Sequence, residues 1–254
     1  MNDYKRKNGR LVDQIRKVTF ERDFVSNSDG SVLISQGNTR VLCTANIENK
    51  VPPWIKGLNK GWVTAEYSML PGSASSRVSR EVVKGKQSGR TSEIQRLIGR
   101  SLRSSLDLCV IPEKTIILDC DVIQADGGTR CAAITGSWLA LFDALQKKES
   151  NLLKDGRLNS IQRVGAISVG VIDQRMVLDL DYEEDATCGV DLNIVMKSDL
   201  SLVEIQGTGE KTTFSKIELV DMITVAEKGL AVLFEMQRIM SEKISLKRLT
   251  SSDI

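Results

Sequence analysis

Three pairs of apolar, β-type runs in this chain are joined by connections of only two to four residues, and no other feature constrains the fold as much. "SVLIS" (31–35) and "TRVLCTANI" (39–47) flank "QGN". "VGAISVGVI" (164–172) and "RMVLDLDYEED" (175–185) flank Asp173-Gln174. "VDLNIVM" (190–196) and "SLVEIQ" (201–206) flank Lys197–Leu200. Connections this short make hairpins, whereas parallel neighbours need a crossover of roughly a dozen residues or more. Helical stretches separate these blocks in the order strands, helix, strand, helix, strands, helix. That order predicts an α+β chain with largely antiparallel or mixed sheets, and disfavours a doubly wound parallel sheet.

The remaining elements follow from periodicity. "GWVTAEYSML" (61–70), stopped by Pro71-Gly72, and "KTIILDCDVIQ" (114–124) read as strands. In "TSEIQRLIGRSLRSSLDL" (91–108), Ile94, Ile98, Leu102 and Leu106 recur every four residues with Leu97 beside them, which predicts an amphipathic helix. A cap at Thr91 or Ser92 would put Arg90 at its N-terminus. A second helix runs from the junction at 127–130 to about Lys148, with Ile134, Trp138, Leu141, Phe142 and Leu145 on its apolar side. The last begins at Ser215, where Ser215 and Glu218 form the S-x-x-E capping pattern. Residues 72–90 lack apolar periodicity and are expected to form a long mobile loop; residues 150–160 form a polar connection. The whole chain, 1–254, is expected as one domain, with 241–254 as a disordered or loosely packed tail.

Composition removes whole classes of function. The chain has no histidine, so imidazole triads and histidine-ligated metals are excluded. Chemistry must run on carboxylates, Lys, Arg, hydroxyls, thiols or a metal held by oxygen. The five cysteines are odd in number and never form C-x-x-C, which suits reduced thiols. No apolar stretch approaches a bilayer span and the N-terminus has no apolar signal core, so a cytoplasmic protein without a membrane partner is expected.

Three groups remain as candidates for chemistry. Gly127-Gly128-Thr129-Arg130 stands at a strand-to-helix junction; it is either ordinary turn chemistry or a place where helix N–H groups and an arginine hold an anion. Between Arg77 and Arg103 lie eight basic residues against two acidic ones, a solvated helix face or a strip for a polyanion. The acidic run "LDLDYEEDATCGVDLN" carries Asp179, Asp181, Glu183, Glu184, Asp185 and Asp191, a solvated turn or a Mg²⁺ site. Together they make a kit that phosphoryl transfer can use without histidine, because that chemistry needs mainly positioning and charge neutralisation.

The runs "KGWVTAEYSMLP", "SGRTSEIQRLIGRSLR", "DCDVIQADGGTRCAAITG", "LDLDYEEDATCGVDLN" and "EIQGTGEKTTFS" resemble the bacterial ribonuclease PH family, in order and over nearly the whole chain. The resemblance implies a two-layer α+β fold of the ribosomal protein S5 domain 2 type. It implies a phosphate-dependent 3′→5′ exoribonuclease, a tRNA nucleotidyltransferase that trims tRNA precursors, and a homohexamer built as a trimer of dimers. By matching motif it implies phosphate binding at Arg90, Gly128, Thr129 and Arg130. It also implies catalysis and Mg²⁺ (or Mn²⁺) binding at Asp185 and Asp191, and contacts of Arg77 and Arg80 with RNA or the neighbouring subunit; Arg96 and Arg100 of the basic strip are expected to contact RNA as well. Inorganic phosphate is the implied co-substrate. The family usually has Arg-Ala-Thr after "MLP", where this chain has Gly72-Ser73-Ala74, and a threonine where this chain has Cys131. A catalytically silent ring subunit is the rival; such relatives typically lose the phosphate arginines or the aspartates, and this chain keeps them.

Overall fold

The hairpins form as expected and organise two sheets. In the computed structural model, which describes residues 6–149, 156–243 and 246–254, the first sheet has six strands: β1 (Val18–Arg22), β2 (Gly30–Gln36), β3 (Thr39–Glu48), β4 (Trp62–Met69), β5 (Thr115–Gln124) and β10 (Arg248–Thr250), in the order β10-β1-β2-β3-β5-β4. Every pairing is antiparallel except β4 with β5. That parallel pair needs a crossover, and α1 (Gly89–Arg103) lies within it. The second sheet is wholly antiparallel, in the order β7-β6-β8-β9, with β6 (Val164–Ile172), β7 (Arg175–Leu178), β8 (Val190–Lys197) and β9 (Leu202–Gly209). Asp173 and Gln174, between β6 and β7, both have positive φ, the geometry a tight two-residue turn needs to match strand twist.

Helix α2 (Thr129–Lys148) packs on β2 and β3 of one sheet and β6 of the other. Having apolar neighbours on both sides, it is buried almost all round, from Cys131 to Leu145, with Trp138 stacked on Phe142 at 5.5 Å between ring centroids. A one-turn helix, α3 (Tyr182–Thr187), follows β7. The last helix, α4 (Lys216–Glu242), packs on β6 and β7; Ser215 and Glu218 make both bonds of the capping box. One apolar cluster runs through both sheets and α1, α2 and α4. No helix among the described residues is long and apolar enough to cross a membrane.

Four expectations change. Helix α1 is capped by Ser88, whose hydroxyl accepts from Thr91 N–H at 3.1 Å, so neither Thr91 nor Ser92 is the cap and Arg90 sits inside the first turn. It ends at Arg103, and Leu106 is buried beyond it. The 72–90 stretch contains a 3-10 turn at Glu81–Lys84, and Glu81 ties the loop to α1 by accepting from Ser88 N–H (3.2 Å) and the Thr91 hydroxyl (2.8 Å). The tail is not loosely packed throughout. Residues 241–242 belong to α4, and Arg248–Thr250 pairs with β1, a strand the periodicity also missed. Without this strand β1 would leave a row of N–H and C=O groups open at the sheet edge. Of the polar connection at 150–160, residues 150–155 lie outside the described residues.

Candidate active site

A cavity of about 930 Å³ opens where α1, the start of α2, α3, β8 and β9 meet, and Arg90, Gly128, Thr129, Arg130, Asp185 and Asp191 all line it. Four elements separated in sequence therefore bring the expected phosphate residues and the expected aspartates together.

The glycine turn is shaped from below. Gly127 and Gly128 both have positive φ (72° and 66°), and Gly128 is the N-cap of α2 with no side-chain cap. A Cβ on Gly127 would lie 2.7 Å from the backbone of Leu180 and Asp181, so only glycine lets this turn pack against the acidic segment. Arg16 donates to the carbonyl of Asp126, and the Thr39 hydroxyl donates to that of Gly127 at 2.6 Å. The turn's carbonyls are thus engaged on the protein side, while the N–H end of α2 faces the cavity, where helix geometry favours an anion. Thr129 Oγ1 lies 2.8 Å from the hydroxyl of buried Tyr67. Burial pushes the Tyr67 phenol up from its ordinary range. Arg130 donates to Gln206 Oε1 of β9 at 2.7 Å, and Gln206 donates in turn to Glu93 of α1 at 3.0 Å. Arg90 is exposed at the cavity rim.

The structure divides the acidic run into two jobs. Asp179 is buried at 1% exposure and accepts from Arg16 N (2.7 Å), Arg16 Nε (3.0 Å), Arg16 Nη2 (2.6 Å) and Gln36 Nε2 (2.8 Å). Burial alone would raise its carboxyl; the Arg16 guanidinium overrides this and holds it below the usual carboxylate range. Asp181 caps α3 in a reciprocal box with Glu184, whose carboxylate also accepts from Arg6 and, at 3.3 Å, Arg10. Glu183 faces Lys7 at 3.1 Å in the open. Asp179, Asp181 and Glu184 therefore hold the turn in place. Of the run's carboxylates, only Asp185 and Asp191 line the cavity.

Burial raises the Asp185 carboxyl, with Arg130 and Arg90 opposing. Asp191 is pushed up to about 6, by burial first and then by the Asp185 charge, against Arg130. Its Oδ2 accepts from Asn193 Nδ2 at 3.1 Å, and Asn193 Oδ1 accepts from the Cys131 thiol at 3.3 Å. Its Oδ1 is buried with no hydrogen-bond partner among the described residues. Burial pushes the Cys131 thiol up to about 12, so the residue that departs from the expected threonine is a packing donor and not a nucleophile. Among the described residues no cluster of three or more His, Cys, Asp or Glu side chains could hold a metal. A pair of carboxylates with one oxygen left open instead suits a hard cation that takes its other ligands from water and substrate phosphates.

The basic strip is less uniform than its composition. Arg77, Arg80 and Arg96 are exposed but do not line the cavity. Arg100 is paired with Glu204 at 2.6 Å, and Arg103 lies over the Trp62 ring at 4.3 Å while donating to the Val63 carbonyl. Of Gly72-Ser73-Ala74, which stand in place of the usual Arg-Ala-Thr, only Ala74 lines the cavity, followed by Ser75 and Ser76. The sequence reasoning missed Tyr67, Gln206, Asn193 and the Arg6, Arg10 and Arg16 braces. Only Asn193 had a signal: two residues after Asp191 on a strand, it must share that face. The arginine braces are separated from their acidic partners by more than 160 residues, and nothing local marks them.

The chain matches the model of the RNase PH 3′ exoribonuclease family, domain 1, over residues 14–146 and domain 2 over 162–229. Among solved structures it is similar to rice (Oryza sativa) Rrp46, with 19% identity and a TM-score of 0.71 over 94% of this chain and 99% of that one. It is similar to an archaeal exosome core (16%, 0.72, 92% and 91%). It is also similar to an Archaeoglobus fulgidus exosome with RNA bound to the active site (18%, 0.73, 96% and 94%). These likenesses concern the fold.

Proposed function

Because the chain belongs to the RNase PH 3′ exoribonuclease family, we propose that it shortens RNA from the 3′ end by phosphorolysis, releasing nucleoside diphosphates and, in reverse, adding nucleotides. Its α+β fold, one mixed and one antiparallel sheet, is that of the S5 domain 2 class. The observation that carries the reading is the meeting of two arginines, an uncapped helix N-terminus and two carboxylates on one cavity.

Arg90, Arg130 and the Gly128–Thr129 turn hold inorganic phosphate, with Arg130 aimed by Gln206. The bound phosphate is an anionic nucleophile near neutrality and needs little general-base help. One of its oxygens attacks the terminal phosphodiester; the P–O bond to the preceding 3′ oxygen breaks, and that oxygen takes a proton. Asp185 and Asp191 would hold Mg²⁺ or Mn²⁺, which supplies neutralisation of charge on the transferring phosphoryl group. Asp191 Oδ1, buried and without a partner among the described residues, is the open position of the site, for the cation or for a proton on its way to the leaving oxygen.

The finer reading is a tRNA nucleotidyltransferase of the ribonuclease PH type, cytoplasmic, acting on tRNA precursor 3′ ends as a homohexameric trimer of dimers. The order and extent of the matching sequence motifs support it, and the exosome cores among its structural neighbours share its fold. The deciding experiment is 3′ trimming of a short RNA with and without added phosphate. Nucleoside diphosphates only in its presence support phosphorolysis; monophosphates at full rate in phosphate-free buffer make the protein a hydrolase.

A further inference from the structure

One aromatic side chain, Tyr182, is among the described residues lining the cavity, and the phosphate and carboxylate chemistry leaves it unused. The residue is 59% exposed. An aromatic left in water at the mouth of a polar cavity is a ready surface for a flat, apolar ligand face. Its position is also fixed. Tyr182 opens α3, whose Asp181–Glu184 box and Arg6 brace hold the turn, and its N–H donates to Asp126 Oδ1 at 3.3 Å. Its backbone N lies within 2.9 Å of where a Gly127 Cβ would stand, beside the phosphate turn. Tyr182 and Asp185 are three residues apart on one helical turn and so share a face. An RNA whose scissile phosphate lies next to the inorganic phosphate at the Gly127–Arg130 turn therefore has a flanking base within reach of this ring.

We propose that Tyr182 is a stacking platform for a nucleobase flanking the scissile phosphate, a role that rests on the exoribonuclease reading above. Stacking suits the task because every base presents a π face, so the platform grips each successive 3′ end without choosing among sequences. The phenol hydroxyl has no part in it, since no side-chain bond to it occurs among the described residues and the ring face alone is used.

The test uses the full-length protein and RNA carrying 2-aminopurine at the last, the penultimate or the eighth position from the 3′ end, titrated in phosphate-free buffer so that no turnover occurs. Wild type and Tyr182→Phe should quench the probe at the last or penultimate position and leave the eighth untouched; Tyr182→Ala should lose that quench. In turnover, Tyr182→Ala should raise KM for RNA about tenfold, as expected for one lost stacked base, with KM for phosphate unchanged. The ring is exposed, so the variant keeps the core intact, and an unchanged melting temperature verifies this. Wild-type quenching and KM in Tyr182→Ala overturn the platform, and phosphorolysis stands if trimming still needs phosphate. Quenching that depends on Tyr182, with no phosphate-dependent trimming by any variant, upholds the platform and removes the phosphorolytic reading instead.

Discussion

Asp179→Asn tests the brace beneath the site, and its cost can be worked from the geometry. The Asp179 carboxylate takes three donors from Arg16 and one from Gln36, with Arg10 at 3.5 Å, and side-chain exposures at the Arg16 pair are 6% and 1%. Asparagine keeps the shape but offers one acceptor oxygen, turns an NH₂ toward those donors, and leaves the buried Arg16 guanidinium without a counter-charge. Breaking a buried pair from one side costs about 3–5 kcal/mol. At about 2–4 °C per kcal/mol for a chain this long, the lower end is a fall in Tm of roughly 6–12 °C. Equilibrium urea unfolding at pH 7 measures the loss directly. The pH dependence has a definite sign. The folded carboxyl sits below its unfolded value, so its stabilisation is fully present above about pH 4 and is lost as pH falls through the folded value. The gap between wild type and Asp179→Asn should therefore be flat from pH 5 to 8 and close in acid. Arg16→Met combined with Asp179→Leu should recover part of the loss, because much of the cost lies in the orphaned charge. A loss under about 1 kcal/mol, the range of solvent-screened pairs, would refute the reasoning.

Arg90→Ala and Arg130→Ala should each raise KM for phosphate by roughly tenfold or more, as a lost charge-assisted contact does; equal losses in RNA binding without phosphate would mark them as backbone contacts instead. Asp191→Asn keeps shape and removes one charged ligand, so turnover should fall by about 10²-fold or more while RNA affinity survives; normal turnover at limiting Mg²⁺ would sink the metal assignment. Light scattering at micromolar concentration should give a hexamer, and a monomer with full activity on tRNA precursors contradicts the ring. Apolar side chains left in water, such as Val82, Val83 and Ile217 at 91%, 83% and 75% exposure, are consistent with surface awaiting a partner.

Local chemistry made most elements of this chain legible in its sequence. Two-residue and three-residue turns dictate hairpins, S-x-x-E dictates the start of α4, and a four-residue apolar repeat dictates α1. The same holds for the glycines at 127–128, whose positive φ a strand-to-helix turn demands. What local chemistry does not contain is the partner of a charge. "LDLDYEED" presents five carboxylates of one type, and only folding decided that Arg16 buries Asp179, that Arg6 and Arg10 take Glu184, and that Asp185 is turned to the cavity with Asp191. The Arg77–Arg103 strip likewise looked uniform until Glu204 and Trp62 claimed Arg100 and Arg103. Strand β10 was missed because a three-residue edge strand exists only where a neighbour's open hydrogen bonds call for it. Propensity and capping act over a few residues and are written in the chain. Ion pairing and edge pairing act between segments that the chain keeps up to some 230 residues apart, so only the packed structure assigns them.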